Sequence, residues 1–152
     1  MRIAVAGGTG LVGQYVVDEL VAAGHEPVVL ARSRGVDLIS GAGLDAAMTG
    51  VEAVVDVSNL QTTSGKKAIS FFESVGRNLL GAESREGVRH HVALSIVGLE
   101  RVGLGYYKGK LRQEEVVAKD GSTPVMSFRA RSPVRPSDAT PGSDSAAPAS
   151  AP

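Results

Sequence analysis

Gly7-Gly8-Thr9-Gly10-Leu11-Val12-Gly13 is the stretch on which the reading of this 152-residue chain turns. It follows the apolar run Ile3-Ala4-Val5-Ala6. After it, Leu11, Val12, Tyr15, Val16, Leu20 and Ala23 recur at helical spacing until Gly24. The glycines fit G-x-G-x-x-G through Gly8, Gly10 and Gly13, and G-x-x-G-x-x-G through Gly7, Gly10 and Gly13. The early glycines permit a tight strand-to-helix turn, Gly10 lets backbone approach a pyrophosphate, and Gly13 lets the helix lie close to the sheet. Free N–H groups and the dipole at the helix start favour negative phosphates. The alternative is a tight turn with incidental glycines. A strand before and an amphipathic helix after favour a dinucleotide loop.

Pro27 can open a strand but not sit centrally in one, so Val28-Val29-Leu30-Ala31 reads as the second strand. A weak third strand is expected near residues 36–39, followed by a short helix over Leu44–Met48. Ala53-Val54-Val55-Asp56-Val57 reads as a strand, and Lys66–Glu86 as a long helix ended by Gly87. His91-Val92-Ala93-Leu94-Ser95 is the next strand, Tyr106–Lys119 a helix and Pro124–Phe128 a last strand. Strands alternating with helices predict an α/β fold, a doubly wound parallel sheet of Rossmann type, incomplete on its C-terminal side.

Composition is that of an ordinary globular protein, 43% hydrophobic and 21% charged. Lys+Arg and Asp+Glu balance at 16 each, so no net field argues for nucleic acid or an acidic membrane surface. The absence of cysteine excludes disulfides, thiolate zinc sites and cysteine nucleophiles. No apolar run approaches the ~20 residues of a membrane-spanning helix, and the N-terminus runs straight into the glycine loop. The expectation is a soluble cytoplasmic protein acting on a small molecule. Its oligomeric state is open.

The end of the second strand bears on the cofactor. An NAD site usually places an acid there, about 20 residues past the loop, to bond the ribose 2′-hydroxyl. This chain has Arg32-Ser33-Arg34 instead, and arginine suits a 2′-phosphate, so NADP(H) is expected over NAD(H). The other reading is a pair of solvated surface arginines. Asp37, the first acid after that strand, is a candidate for the adenine or ribose.

Ala6-Gly7-Gly8-Thr9-Gly10-Leu11-Val12-Gly13, Asp56-Val57-Ser58-Asn59 and Gly87-Val88-Arg89-His90-His91-Val92-Ala93-Leu94-Ser95 together resemble the atypical short-chain dehydrogenase/reductases, in particular the NmrA-like NAD(P)-binding oxidoreductases. The resemblance runs from Met1 to about Ala130 and implies hydride transfer between a nicotinamide and a small carbonyl or alcohol. It assigns catalysis to a Ser and a Tyr-x-x-x-Lys, matched here by Ser95, Tyr106 and Lys110. Four residues apart on a helix, Tyr106 and Lys110 share a face. A tyrosine near its reference pKa of ~10 is a poor base at neutral pH, and a neighbouring ammonium is expected to lower it. Ser95 would hydrogen-bond the substrate oxygen, and Glu114 is expected to pair with Lys110. Ser58 and Asn59 either line the cofactor or cap the next segment. His90 and His91 point to opposite faces of a strand, so no metal site is expected. Phe71 and Phe72 read as core or interface rather than a substrate platform.

Past Ala130 the chain becomes Ser, Pro, Ala, Asp and Gly, with Val134 as its one larger aliphatic. Residues 1–130 are thus expected to form the NAD(P)-binding domain and residues 131–152 a disordered tail. A shifted reading frame near Ala130 is the expected origin of that tail, and it weakens the enzyme reading more than the binding reading. Two further readings stand beside the oxidoreductase: a non-catalytic NADP(H)-binding sensor, and a nucleotide-sugar epimerase-like protein using the same groove.

Overall fold

Five apolar runs lie side by side as parallel strands in a computed structural model that describes residues 1–99, 105–120 and 125–130. The strands β1 (Arg2–Ala6), β2 (Glu26–Leu30), β3 (Ala53–Asp56), β4 (His90–Ile96) and β5 (Val125–Ala130) are ordered β2-β1-β3-β4-β5. They alternate with α1 (Leu11–Ala22), α2 (Leu44–Met48), α3 (Gly65–Glu86) and α4 (Gly105–Asp120). The chain steps one way from β1 to β2 and the other way thereafter, so right-handed crossovers put α1 on one face and α2, α3 and α4 on the other. This is the doubly wound, Rossmann-type sheet. Register sets Ala6 level with Leu30 and Asp56, and Asp56 level with Ala93. The side on which strands are added switches between β1 and β3, where open α/β sheets hold their ligands.

Ala4, Ala6, Leu30 and Val54 of the sheet interlock with Leu44 and Met48 of α2 and Val75, Leu79 and Ala82 of α3. Each fully buried leucine in this layer contributes about 1.5–3 kcal/mol. Helices α3 and α4 meet along small residues. A Cβ at Gly109 would come within 2.7 Å of the Ala68 Cβ and 2.8 Å of the Phe72 ring. Arg112 of α4 then reaches both carboxylate oxygens of Glu73 on α3, at 3.2 and 3.0 Å. The seam fixes α4, which carries Tyr106 and Lys110, against the sheet.

Three expectations change. Residues 36–39 form no strand: Asp37 Oδ1 accepts from the Ile39 and Ser40 amides, and its backbone N–H donates to Ala42, folding the segment into a loop. Val36 and Leu38 still pack on the core, which explains their strand-like alternation. Next, β2 begins at Glu26 and includes Pro27, which is tolerated because β2 is an edge strand. Finally, Leu11, Val12 and Tyr15 are exposed and Gly13 alone is buried in α1, so the apolar stripe read there does not all face the sheet. Among the described residues no other helix shares that face. Pro124 and the tail of residues 131–152 lie outside the described residues.

His91 on β4 and Glu83 on α3 are both fully buried, with Nδ1 2.7 Å from Oε1. Burial pushes the imidazole pKa down, but the hydrogen bond and charge of Glu83, assisted by the charge of Asp56, outweigh it and leave it raised above 6.5. The folded state therefore favours the imidazolium. That stabilisation is complete below the unfolded value and is lost as pH rises through the higher folded one. As pH rises above about 6.5, the melting temperature should fall more steeply in the wild type than in Glu83→Gln, which removes the charge. Equal slopes in the two proteins would contradict this.

Candidate functional site

Two cavities open along the carboxyl edge of the sheet and meet over the glycine loop. One, of about 250 Å³, is bounded by Gly7, Thr9, Gly10, Arg32, Asp37 and Phe71. The other, of about 470 Å³, is bounded by Leu11, Val12, Gly13, Ser95, Tyr106 and Lys110. Gly10, Val57, Ser58 and Asn59 belong to both walls. The two cavities thus form a groove divided by a shared wall, with Arg32 at one end and Lys110 at the other.

The loop between them is built by close backbone contact. Gly7 adopts φ +81, and its N–H donates to Leu30 O at 3.3 Å. A Cβ at Gly13 would overlap the Gly7 carbonyl oxygen and sit 2.6 Å from Gly8 Cα, so α1 can start this near β1 only with glycine there. Gly8 lies under the loop, donating to Val5 O at 3.2 Å, and is not on the groove wall. A Cβ at Gly10 would meet one atom, Gly7 O at 3.2 Å. The first helical bond reaching back to the loop runs from Gln14 N–H to Gly10 O. The Leu11, Val12 and Gly13 amides therefore have no backbone acceptor among the described residues, and the first turn carries no acidic residue and no side-chain cap. Such a helix start attracts an anion.

At one end, Arg32 opens a 3-10 turn over Arg32–Arg34 and lines the first cavity with its side chain exposed. Ser33 and Arg34 are exposed in the same turn but are not on the wall. Asp37 is on the wall, but its Oδ1 is committed to its own loop. Phe71, read from sequence as core or interface, is half-buried and faces this cavity, while Phe72 is fully buried. Asn78 fixes the loop by donating to Leu38 O and Ile39 O at 2.9 and 2.8 Å.

The other end is polar and buried. Asp56 ends β3 with no exposed surface, and its Oδ1 accepts from the Ser58 amide at 2.9 Å. Its Oδ2 accepts from Gln113 Nε2 at 2.6 Å. Lys110 is 3% exposed and donates to Gln113 Oε1 at 2.9 Å, Leu94 O at 3.0 Å and Ser58 O at 3.4 Å. Its ammonium also sits 4.5 Å from the centre of the Phe72 ring. The hydroxyls of Ser58 and Ser95 are buried without a partner among the described residues, an arrangement that costs about 1–3 kcal/mol unless a ligand satisfies them.

Ser95, Tyr106 and Lys110 thus share one cavity, but their couplings differ from those expected. The Tyr106 hydroxyl donates to Asn59 Oδ1 at 2.9 Å, so Asn59 holds a side chain as well as lining the groove. Burial, with the Tyr107 charge adding, raises the Tyr106 pKa. The expected lowering by Lys110 is absent because that ammonium is turned to Ser58, Leu94 and Gln113. Burial lowers the Lys110 pKa, against the opposing charges of Asp56 and Glu114. Glu114 acts on Lys110 through its charge, while Gln113 supplies the hydrogen bond. Gln113 is the residue that sequence reading missed, its one signal being a position three residues after Lys110 on the same helix. His90 is exposed and His91 buried, and no group of three metal-ligating side chains comes together among the described residues.

The residues present fit a nicotinamide dinucleotide. The unpaired amides that open α1 suit a pyrophosphate, two unpaired hydroxyls suit polar ligand groups, and cavities flank the loop on both sides. No protein-family model matches the chain. It is 28% identical over 111 residues to photosystem II assembly factor Ycf39 of Synechocystis sp. (strain ATCC 27184 / PCC 6803 / Kazusa), covering 64% of this chain and 34% of that protein. Among solved structures it resembles UDP-N-acetylglucosamine 4-epimerase from Bacillus cereus, with TM-score 0.74 and 26% identity over 85% of this chain and 58% of that one. It shares its fold with an Agrobacterium tumefaciens short-chain dehydrogenase/reductase superfamily protein with bound NAD (TM-score 0.69, 24% identity, 85% and 48% covered). The same holds for Citrobacter sp. triphenylmethane reductase complexed with NADP(H) (TM-score 0.67, 21% identity, 85% and 49% covered). The structural neighbours are therefore epimerase and short-chain dehydrogenase/reductase proteins, among them complexes with NAD and with NADP(H). This chain spans about a third of the curated relative and about half of these structures. Among the described residues no helix is long and apolar enough to cross a membrane.

The two glycines separate folding from binding. Gly13→Ala should lower the melting temperature sharply, as overpacking costs typically 1–3 kcal/mol or more. Gly10→Val should keep most of the wild-type stability but narrow the groove and weaken dinucleotide binding at least about tenfold, roughly 1.4 kcal/mol. Thermal melts and cofactor titration of both variants check this, and a Gly10→Val protein that binds normally would contradict it.

Proposed function

We propose that this chain binds NADP(H) in preference to NAD(H) and belongs to an oxidoreductase of the atypical short-chain class, NmrA-like branch. The observation that carries the reading is the pair of cavities sharing a wall at the glycine loop, one reaching Arg32 and the other Ser95, Tyr106 and Lys110. When bound, the nicotinamide supplies or accepts hydride. Arg32 offers a bidentate guanidinium to a 2′-phosphate at the far end. The α1 amides hold the pyrophosphate. Lys110, fixed below the second cavity, presents positive charge to the ribose and substrate end. Ser95 orients a substrate oxygen with its unpaired hydroxyl. Tyr106 is held in its neutral form, so its ready role is to donate a proton to a carbonyl oxygen, released from Asn59 as substrate enters. That favours the reductive direction. The fold shared with a reductase complexed with NADP(H) is compatible with the reading.

A second reading has one specific support, the 26% identity to a nucleotide-sugar epimerase. The same Ser-Tyr-Lys chemistry would then act on a sugar carbon, and turnover would require a UDP-sugar rather than a free carbonyl.

Fluorescence titration tests the cofactor assignment. NADPH should bind more tightly than NADH, and Arg32→Ser should weaken NADPH about tenfold while leaving NADH nearly unchanged. Equal loss for both would remove the 2′-phosphate assignment. Tyr106→Phe should retain NADPH affinity and lose about 100-fold or more in turnover across a carbonyl panel. Unchanged turnover would deny Tyr106 its role.

A further inference from the structure

Three buried polar groups run in line behind the groove: the Asp56 carboxylate on β3, the Gln113 amide on α4 and the Lys110 ammonium one turn earlier on that helix. Asp56, Gln113 and Lys110 are 0%, 1% and 3% exposed, so water does not compete with any link. The chemistry of each end dictates how the amide faces. A carboxylate only accepts, so the NH2 of Gln113 must face Asp56, and an ammonium only donates, so its carbonyl must face Lys110. A glutamine is the side chain that can answer both at once.

We propose that Gln113 is the positioning residue of the groove, clamped by Asp56 and holding the Lys110 ammonium between the carbonyls of Ser58 and Leu94. The inference rests on reading the groove as a dinucleotide site, and it extends that reading to a residue which touches neither cavity wall. The long lysine side chain has several rotamers, and three acceptors in fixed directions select one of them. Ser58 supplies the geometric link. Its amide is bound to Asp56 Oδ1 while its carbonyl accepts from Lys110, so a single carboxylate orders both the β3 end and the lysine. The charged groups facing Lys110 are Asp56 from β3 and Glu114 from its own helix, while α3 contributes the Phe72 ring. Beyond Asp56 lies His91 of β4, on which the same carboxylate acts.

A swap distinguishes this chain of bonds from mere packing. Gln113→Leu keeps bulk and removes both links. The double variant Asp56→Asn with Gln113→Glu rebuilds them with the charge moved one step nearer the ammonium. The amide placed at position 56 would still accept from Ser58 and would donate to the carboxylate placed at position 113, which would accept from Lys110. The readout is the titration of Lys110 in 13Cε-lysine-labelled full-length protein by NMR, assigned through the signal lost in Lys110→Arg.

Lys110 should titrate about one pH unit lower in Gln113→Leu than in wild type, matching the loss of one charge-assisted hydrogen bond. In the double variant it should return to the wild-type midpoint or above. The alkaline limb of NADPH affinity should move with that midpoint in each protein. An unchanged midpoint in Gln113→Leu, or a double variant indistinguishable from Gln113→Leu, overturns the assignment. The lysine titration needs no ligand. If wild-type protein binds no dinucleotide, the cofactor reading fails while the role of Gln113 is still decided.

Discussion

The contact between the backbone of Gly7 and Gly8 and the first turn of α1, closed by the missing Cβ of Gly13, sets the depth of everything above it. With the helix drawn down onto the strand, its leading amides rise only as high as the turn and point along the carboxyl edge of the sheet. The same edge collects Leu30, Asp56 and Ser95 through parallel register. A bulkier residue at position 13 would lift α1 away from β1. The two cavities would then no longer meet over a shared floor of Gly10, Val57, Ser58 and Asn59.

Behind that floor the interior holds a set of polar groups. Asp56, Ser58, Glu83, His91, Ser95, Lys110 and Gln113 are all buried. Most find partners within the chain: Glu83 with His91, and Asp56 with Ser58 and Gln113. The hydroxyls of Ser58 and Ser95 do not, among the described residues, and both residues line the groove side of the network. Glu83 Oε2 and His91 Nε2 also lack a partner there, away from both cavities, so it is their place on the cavity wall that opens the two hydroxyls to a ligand.

Much of this is legible in the chain of residues, for physical reasons that differ by element. The glycine loop is legible because steric limits leave almost no other residue type at Gly7 and Gly13. Tyr106 and Lys110 are legible as a pair because helical spacing alone puts them on one face. The region around Asp37 is not: Val36 and Leu38 alternate like a strand, yet the Asp37 carboxylate outcompetes a ladder by capping its own loop. The partner of Lys110 escapes the sequence because i, i+4 charge pairing describes solvated helix faces. This face is buried, and an amide bridging to Asp56 meets the ammonium instead. Phe71 escapes it for a related cause: adjacent phenylalanines look alike in sequence, while one faces the groove and the other the core.

Hydrogen–deuterium exchange with and without saturating NADPH reads the loop amides themselves. Exchange should slow in the segment from Gly8 to Gln14 and at residues 57–60, with little change in β2 or in the outer turns of α3. Exchange in the glycine loop that is identical with and without the dinucleotide would contradict it.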